Sequence, residues 1–246
     1  MTIHSKIPSI GLGTYMMSPE EAEEMTYEAI KIGYRHIDTA EVYRNEQGVA
    51  RGIERSLSEG LVSRSELFIT TKVFPGNEIW GQSQKTFDDV TESLDNSLKR
   101  LKLEYVDLYL IHSAHANKTR IEQWKALLEL KSMGKITYAG VANWNIKHLQ
   151  EINDADLPLP DTNQIELHPW AQQPELVEYL QNNNVHIIAY SSLVPLSTWR
   201  KKDGENSLKT KDMENEGSSV ESLFKILANK YNVKESQILL QWALQL

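Results

Sequence analysis

Residues 67–112, LFITTKVFPGNEIWGQSQKTFDDVTESLDNSLKRLKLEYVDLYLIH, carry the pattern that decides the fold. The stretch begins and ends on short apolar runs, which predict strands at Leu67–Val73 and Val106–His112. Neither run alternates cleanly between apolar and polar residues, as is typical of strands buried on both faces. Between them, the apolar residues of Phe87–Leu101 recur at helical spacing and predict an amphipathic helix. The stretch therefore predicts a strand–helix–strand unit.

The same alternation continues along the rest of the chain. Further strands are predicted at Ser9–Thr14, His36–Thr39, Ile136–Ala142, Thr162–Leu167 and His186–Tyr190. Further helices are predicted at Pro19–Lys31, Ile121–Met133, Pro174–Asn182, Ser219–Tyr231 and Lys234–Leu244. Alternating strands and helices predict parallel strands with right-handed crossovers. A closed barrel and an open doubly wound sheet both fit this pattern, and in both the chemistry lies at the carboxyl ends of the strands.

Length and composition limit the classes of function. The 246 residues suit a single domain over residues 1–246, and a formal charge of −8 argues against nucleic acid or an anionic membrane as the main partner. The chain has no cysteine, which excludes disulfides, thiol catalysis and cysteine-ligated zinc. No apolar run is long enough to span a membrane, and the first residues lack the apolar core of a signal peptide. We therefore expect a cytoplasmic protein with no membrane or nucleic-acid partner.

A long polar stretch, Pro195–Ser218, follows the seventh predicted strand. Loops of this length are usually functional flaps or mobile segments. Because the stretch leaves the carboxyl end of a strand, we expect it on the side of the molecule where the chemistry takes place.

Reactive side chains stand at or just after the ends of the apolar runs. They are Asp38 and Tyr43 in HIDTAEVY, Lys72 at the end of FITTK, and His112 at the end of DLYLIH. A buried lysine needs an anion, and Asp38 ends a neighbouring strand. A cation beside the Tyr43 phenol would lower its pKa and make it a general acid toward a carbonyl oxygen, which His112 would also hydrogen-bond. Taken singly, each residue is more often a solvated or structural side chain; together they predict proton-transfer chemistry.

The surrounding segments resemble the aldo-keto reductase family. The resemblance rests on HIDTAEVYRNE, ITTKV, DLYLIH, GVANWN, TNQIELHPWAQQPEL and IIAYSSL, in the family's order and spacing. It implies a (β/α)8 TIM-type barrel and an NAD(P)H-dependent enzyme that reduces aldehydes or ketones to alcohols. The implied cofactor is NADPH, with NADH as the alternative, and the implied partner is a small-molecule carbonyl substrate.

The resemblance also implies a role for each matching residue. The catalytic set falls on Asp38, Tyr43, Lys72 and His112, with Tyr43 as proton donor. The cofactor-binding set is Gly13, Thr14, Asp38, Asn143, Gln164, Tyr190, Ser191 and Leu193, with Tyr190 stacked on the nicotinamide and Asn143 and Gln164 on its carboxamide. The substrate-binding set is Tyr15, Tyr43, Phe74, His112 and Ser113. Relatives often carry bulkier aromatics at Tyr15, Phe74 and Ser113, so we expect a wider and more polar pocket.

The chain departs from the family pattern at three places. Ala142 stands where a serine is common, and Val194 and Pro195 replace residues that suit a phosphate. The segment LLQWALQL resembles the helix before the eighth strand. We therefore expect a barrel that lacks the eighth strand and the C-terminal cofactor segment. The sequence leaves the physiological carbonyl and the oligomeric state open.

Three other interpretations compete with a reductase. The departures above motivate a catalytically weak or regulatory protein on the same barrel, which binds a nucleotide or a partner. A metal pair at His112 and His115 lacks a third ligand, so we predict no metal site. An open-sheet dehydrogenase would need a GxGxxG turn, and GLGTYM ends in Met16 instead of glycine.

Overall fold

The computed structural model describes residues 6–196 and 223–245. The predicted flap at Pro195–Ser218 lies almost entirely outside the described residues, as does the beginning of the helix predicted at Ser219–Tyr231. Contacts divide the chain into two compact units, Met1–Asn163 with Leu180–His186 and Gln164–Tyr179 with Ile187–Leu246. The single domain expected over residues 1–246 stays a prediction.

The described residues contain seven strands in one sheet. They are β1 (Gly11–Gly13), β2 (His36–Asp38), β3 (Phe68–Val73), β4 (Val106–Ile111), β5 (Ile136–Ala142), β6 (Thr162–Glu166) and β7 (His186–Tyr190). The sheet follows chain order from β1 to β7, and the pairs from β1 to β5 are parallel. A doubly wound sheet would reverse its order at a switch point, so the consecutive order favours the barrel. The predicted α/β class with barrel topology is confirmed, and seven strands are present in the described part of the chain.

Strand register places Asp38 and Lys72 near the carboxyl ends of adjacent parallel strands. Asp38 on β2 lies opposite Thr70 on β3, and Lys72 on β3 lies opposite Leu110 on β4. Every residue of β3 is buried, and β4 is buried except at its second residue. This burial on both faces explains why the two strands read as continuous apolar runs without alternation.

Eight helices lie among the described residues. They are α1 (Pro19–Lys31), α2 (Glu46–Ser58), α3 (Phe87–Leu101), α4 (Arg120–Ser132), α5 (Ile146–Asp154), α6 (Pro174–Asn182), α7 (Leu223–Tyr231) and α8 (Glu235–Leu244). The N-terminus of α1 is closed by a capping box, in which Ser18 accepts from the Glu21 backbone and Glu21 accepts in return. A second capping box, between Thr86 and Asp89, begins α3. These signals set the start of both helices where the sequence predicts them.

The sequence did not predict α2 and α5. Two glycines inside α2 lower its helix propensity, yet the packing against α1 requires them. A Cβ atom built at Gly48 would lie 1.9 Å from the Pro19 carbonyl oxygen, and one at Gly52 would lie 2.5 Å from the Glu23 carbonyl oxygen. The two helices therefore approach closely enough to exclude any side chain at these positions.

Two kinds of feature are absent from the described residues. None of their helices has the length and apolar composition needed to cross a membrane. Across residues 6–196 and 223–245, no group of three or more histidine, aspartate or glutamate side chains is arranged to hold a metal ion.

Candidate active site

Lys72 occupies the centre of the site and has no exposed surface. Its Nζ donates to the Asp38 carboxylate, to the Thr39 carbonyl oxygen at 2.9 Å, and to Tyr43 Oη at 3.4 Å. An ammonium has three N–H donors, so these three acceptors use all of them. The structure thus brings together the acid, the amine and the phenol that the sequence placed near one another.

Tyr43 lies in a short 3₁₀ turn, Glu41–Tyr43, that follows β2. The phenol and Asp38 therefore both follow from the carboxyl end of β2. The next residue, Arg44, adopts a left-handed conformation with φ of 58° and ends the turn. This turn carries the phenol back over the end of β3, where Lys72 lies.

The pKa of Tyr43 is raised above its ordinary value of 10, and burial is the main cause. The negative charge of Asp38 raises the pKa further. The sequence predicted a lowered pKa, and that prediction is wrong. The physical reason is that burial opposes ionisation of the phenol, and the Asp38 carboxylate, which pairs with Lys72, offsets the cation that would have favoured phenolate.

His112 follows β4 and faces the tyrosine. Its ring lies edge-on to the Tyr43 ring, with the centroids 5.5 Å apart. Burial, followed by the positive charge of Lys72, lowers the pKa of His112 to about 4, so the imidazole is neutral at pH 7. Its Nδ1 is buried and has no hydrogen-bond partner among the described residues. The backbone is fixed on both sides, because His112 N donates to Val73 and its carbonyl accepts from Asn143 Nδ2.

Aromatic rings extend from the tyrosine along the mouth of the strands. The Tyr15 ring, whose residue is 61% exposed, lies 5.1 Å from the Tyr43 ring. On the next loops, Phe74 stacks on Trp80 with centroids 6.2 Å apart, and Trp80 meets His115 edge-on at 5.3 Å.

Ser113, the remaining predicted substrate residue, contacts these aromatic rings through His115. Its Oγ lies 2.8 Å from His115 Nδ1. The sequence analysis did not assign Trp80 or His115 to the pocket. It weighed His115 as half of a metal pair, and nothing local in the sequence marks Trp80, because ring contacts between loops depend on the fold.

The predicted cofactor residues of the first unit divide into buried and exposed groups. Thr14 is fully buried, and its Oγ1 donates to the Asp38 carbonyl at 3.2 Å. Its side chain therefore has a structural role within the protein. Gly13 is exposed, and a Cβ atom there would meet no heavy atom within 4 Å. Asn143 is exposed after β5 and adopts a left-handed conformation with φ of 63°.

The predicted cofactor residues of the second unit lie on β6, on β7 and on the turn that follows β7. Gln164 is buried within β6, and Tyr190 ends β7, where its carbonyl accepts from Leu167 N at 3.3 Å. Ser191 is left-handed with φ of 59°, and Leu193 in the following turn is 42% exposed.

Asn45 is a positioning residue that the sequence analysis missed. Its side chain is fully buried, and its Nδ2 donates to the carbonyls of Thr14 at 2.7 Å and Met17 at 3.1 Å. Its Oδ1 accepts from Thr39 Oγ1 at 3.0 Å. One amide thus ties the ends of β1 and β2 to the segment that carries Tyr43. Recognising α2 from the sequence would have marked Asn45 as its N-cap.

The residues present fit a nicotinamide cofactor. The exposed amide of Asn143 carries both donor and acceptor groups, the types that pair with a carboxamide, and it lies beside His112, whose carbonyl accepts from it at 3.1 Å. Gly13 leaves open space against the first loop. A buried lysine with an acid, a phenol and a neutral imidazole around it suits a carbonyl oxygen that gains negative charge.

Comparison with known proteins agrees with this chemistry. The aldo/keto reductase family profile matches residues 9–246. The methylglyoxal reductase DkgA of Yersinia pestis is 36% identical over 239 residues, which cover 97% of this chain and 75% of that protein. The NAD(P)H-dependent D-xylose reductase of Candida tenuis is 35% identical, with 97% and 78% of the two chains covered.

A solved structure adds the fold and a cofactor. The crystal structure of a Bombyx mori aldo-keto reductase in complex with NADP superposes with a TM-score of 0.78 at 32% identity. The superposition covers 95% of this chain and 75% of that one. The predicted class of enzyme, a nicotinamide-dependent aldo-keto reductase, is confirmed by these relatives, while the roles of individual residues stay predictions. The chain belongs to the aldo/keto reductase family.

Proposed function

We propose that this chain reduces small aldehydes or ketones to alcohols, with Tyr43 as the proton donor. One observation carries the proposal. Lys72 is fully buried, bonded to Asp38 and 3.4 Å from Tyr43 Oη. A buried ammonium beside a phenol suits a proton donor, because the cation stabilises the phenolate that remains once the proton is transferred.

The resting site holds the proton on the tyrosine. Burial raises the pKa of Tyr43, so the phenol stays protonated at neutral pH and is ready to donate. As negative charge builds on the carbonyl oxygen, the phenol transfers its proton and Lys72 lies close to the new phenolate. Asp38 keeps the ammonium in place, and its charge makes the buried lysine tolerable before and after the transfer.

His112 orients the carbonyl oxygen beside the phenol. Its pKa of about 4 leaves one ring nitrogen as donor and the other as acceptor at pH 7. A neutral imidazole can donate a hydrogen bond to the oxygen without competing with Tyr43 as the proton source. When bound, the nicotinamide supplies the hydride that the carbonyl carbon receives.

The cofactor assignment is NADPH, with NADH as the alternative. Its support is the D-xylose reductase of Candida tenuis, which is NAD(P)H-dependent, and the Bombyx mori enzyme, which was solved with NADP. We assign Asn143 and Gln164 to the carboxamide, Tyr190 to the nicotinamide face, and the backbone around Ser191 and Leu193 to the pyrophosphate. Three residues remain in the set: Gly13 and Thr14 border the cofactor through their backbone, and Asp38 faces it from the end of β2.

The substrate assignment is a small carbonyl compound. Relatives named for methylglyoxal and D-xylose reduction handle small oxygen-rich aldehydes. The exposed Tyr15 ring, Phe74, and the Ser113 hydroxyl together offer an apolar wall with a polar element, which suits such compounds. A cytoplasmic location and the lack of a nucleic-acid partner stay predictions.

Replacing Tyr43 with phenylalanine tests the proposal. Turnover of a generic aldehyde, followed by NADPH oxidation, should fall by at least about 100-fold, since general acid catalysis contributes on that order. Nicotinamide fluorescence should show NADPH binding within about twofold of the parent, because the phenol hydroxyl is not assigned to the cofactor.

Tyr109→Phe is the matched control for this experiment. Tyr109 is a fully buried tyrosine on β4 whose hydroxyl has no hydrogen-bond partner among the described residues. Its replacement should leave turnover unchanged. Undiminished turnover in Tyr43→Phe would sink the assignment of Tyr43, and NADPH binding without turnover in the parent would favour the regulatory alternative.

A further inference from the structure

The turn that carries Tyr43 has few bonds of its own. Within it, Tyr43 N donates to the Ala40 carbonyl at 3.0 Å and Arg44 N donates to the Glu41 carbonyl at 3.3 Å. No side chain caps its N-terminus. A single 3₁₀ turn has poor hydrogen-bond geometry and is marginal alone. The position of the phenol therefore depends on contacts with the rest of the protein.

Glu41, two residues before Tyr43, supplies such a contact. Its Oε1 accepts from the Phe74 backbone N–H at 2.6 Å and from Lys85 Nζ at 2.8 Å. Phe74 in turn lies two residues after Lys72. The Glu41 carboxylate therefore joins the two chain segments that carry Tyr43 and Lys72, close to the hydrogen bond between those two side chains.

The burial of this contact makes it strong. The Glu41 and Lys85 side chains are 15% and 24% exposed, so water screens them little. Both hydrogen bonds are charge-assisted, which makes them roughly twice as strong as neutral ones. Lys85 is itself anchored, because its backbone N donates to the Pro75 carbonyl at 2.9 Å and its Nζ also donates to Ser93 Oγ.

The contact between phenol and lysine is sensitive to such an anchor. At 3.4 Å, the bond from Lys72 Nζ to Tyr43 Oη is at the long end of the hydrogen-bond range. A shift of about 1 Å would break it, and displacements of that size can cost about 100-fold in rate.

We propose that Glu41, held by Lys85, is a positioning residue that sets the distance between the Tyr43 phenol and Lys72. The inference rests on the proposed role of Tyr43 as proton donor. Glu41 touches neither the substrate nor the cofactor; it acts through the turn and the end of β3.

Glu41→Ala and Glu41→Gln separate positioning from bulk stability. In Glu41→Ala, kcat should fall about 10- to 100-fold, while KM and the Kd for NADPH stay within about twofold. The solvent deuterium isotope effect on kcat should rise, because proton transfer from a displaced phenol becomes slower than the other steps. Glu41→Gln keeps an oxygen acceptor for the Phe74 N–H, so it should recover most of the lost kcat.

Asp107 on β4 provides a matched control, because its carboxylate also contacts β3, one of the two strands that Glu41 joins. Its carboxylate also accepts from a backbone N–H, that of Ile69 at 2.9 Å, and from an arginine, Arg64, at 2.8 Å. Its side chain is 16% exposed, close to that of Glu41. Asp107→Ala should lose comparable stability and keep the parent kcat and isotope effect.

The outcomes distinguish the inference from the function on which it rests. An unchanged kcat in Glu41→Ala, or an equal loss of kcat in Asp107→Ala, overturns the positioning role. If Glu41→Ala fails to fold, Lys85→Met replaces it, with an expected fall in kcat of roughly tenfold at unchanged KM. An unchanged kcat in Lys85→Met would likewise overturn it. Full activity of Tyr43→Phe would instead refute the proposed function.

Discussion

Replacing Lys72 with methionine should destabilise the protein by removing the cation that faces the Asp38 carboxylate. Lys72 has no exposed side-chain surface and Asp38 has 15%, so the pair is shielded from water. Removing one member of a buried ion pair costs about 3–5 kcal/mol. Because methionine fills a similar volume, packing adds little to this loss. We therefore expect a loss near the lower figure, about 3 kcal/mol, since the carboxylate keeps some contact with water.

The double variant Asp38→Asn with Lys72→Met should recover most of that stability. Neither residue then carries a buried charge, and neutral replacements of similar volume cost less than about 1.5 kcal/mol. Asp38→Asn alone should also cost at least about 3 kcal/mol, because it removes the carboxylate from a fully buried ammonium. The two substitutions should thus couple by about 4.5 kcal/mol in a double-mutant cycle. Activity should not return, because the cation beside Tyr43 is gone in both variants.

Urea unfolding at pH 7, followed by tryptophan fluorescence and circular dichroism, measures the cycle. The chain has six tryptophans, which give the fluorescence signal. NADPH oxidation with a generic aldehyde measures activity in parallel. The reasoning is refuted if Lys72→Met unfolds at the same urea concentration as the parent, or if the double variant is no more stable than the single one.

Three further predictions follow from the packing. Burial lowers the pKa of His36 from 6.5 to about 4. As pH falls, the unfolded chain therefore takes up a proton at this histidine before the folded chain does. The free energy of unfolding should fall by roughly 3 kcal/mol as pH is lowered from 6.5 to 4. His36→Gln, which keeps a bond to Thr70, should flatten that pH dependence in urea titrations; an unaltered dependence would contradict it. Gly52→Ala should lower the thermal midpoint despite its better helix propensity, because the new methyl meets the Glu23 carbonyl oxygen; a raised midpoint would refute the close approach. Trp80→Ala should raise KM for an aromatic aldehyde up to about tenfold while KM for a two-carbon aldehyde stays unchanged, and equal effects on both would remove Trp80 from the pocket.

Much of the fold was predictable because buried parallel strands and capped helices leave local signals. The bounds of β5, β7, α1, α3 and α6 agree with the predicted ranges. The helix α2 was missed for a physical reason. Gly48 and Gly52 weaken its helical signal, and their purpose, contact with the α1 backbone, depends on a distant segment.

The site was predictable as a set of residue types, and less so as an arrangement. Lys72 with Asp38 follows from the rule that a buried lysine needs an anion. The raised pKa of Tyr43 did not follow, because it depends first on how deeply the phenol is buried and then on how closely the carboxylate offsets the ammonium. The roles of Glu41 and Asn45 did not follow either, since each joins segments whose proximity only the folded chain reveals.

Because all three N–H groups of Lys72 donate hydrogen bonds, the lysine should resist chemical modification by aldehydes. Aldehydes condense with neutral amines to form imines, so a lysine beside an aldehyde site is at risk of modification by the compound being processed. Burial lowers the pKa of Lys72, which would favour the reactive neutral amine, and Asp38 opposes this shift. With its nitrogen protonated and all three N–H groups engaged, the lysine has no lone pair to offer. We therefore expect Asp38, by favouring the ammonium form of Lys72, to limit condensation of this lysine with carbonyl compounds.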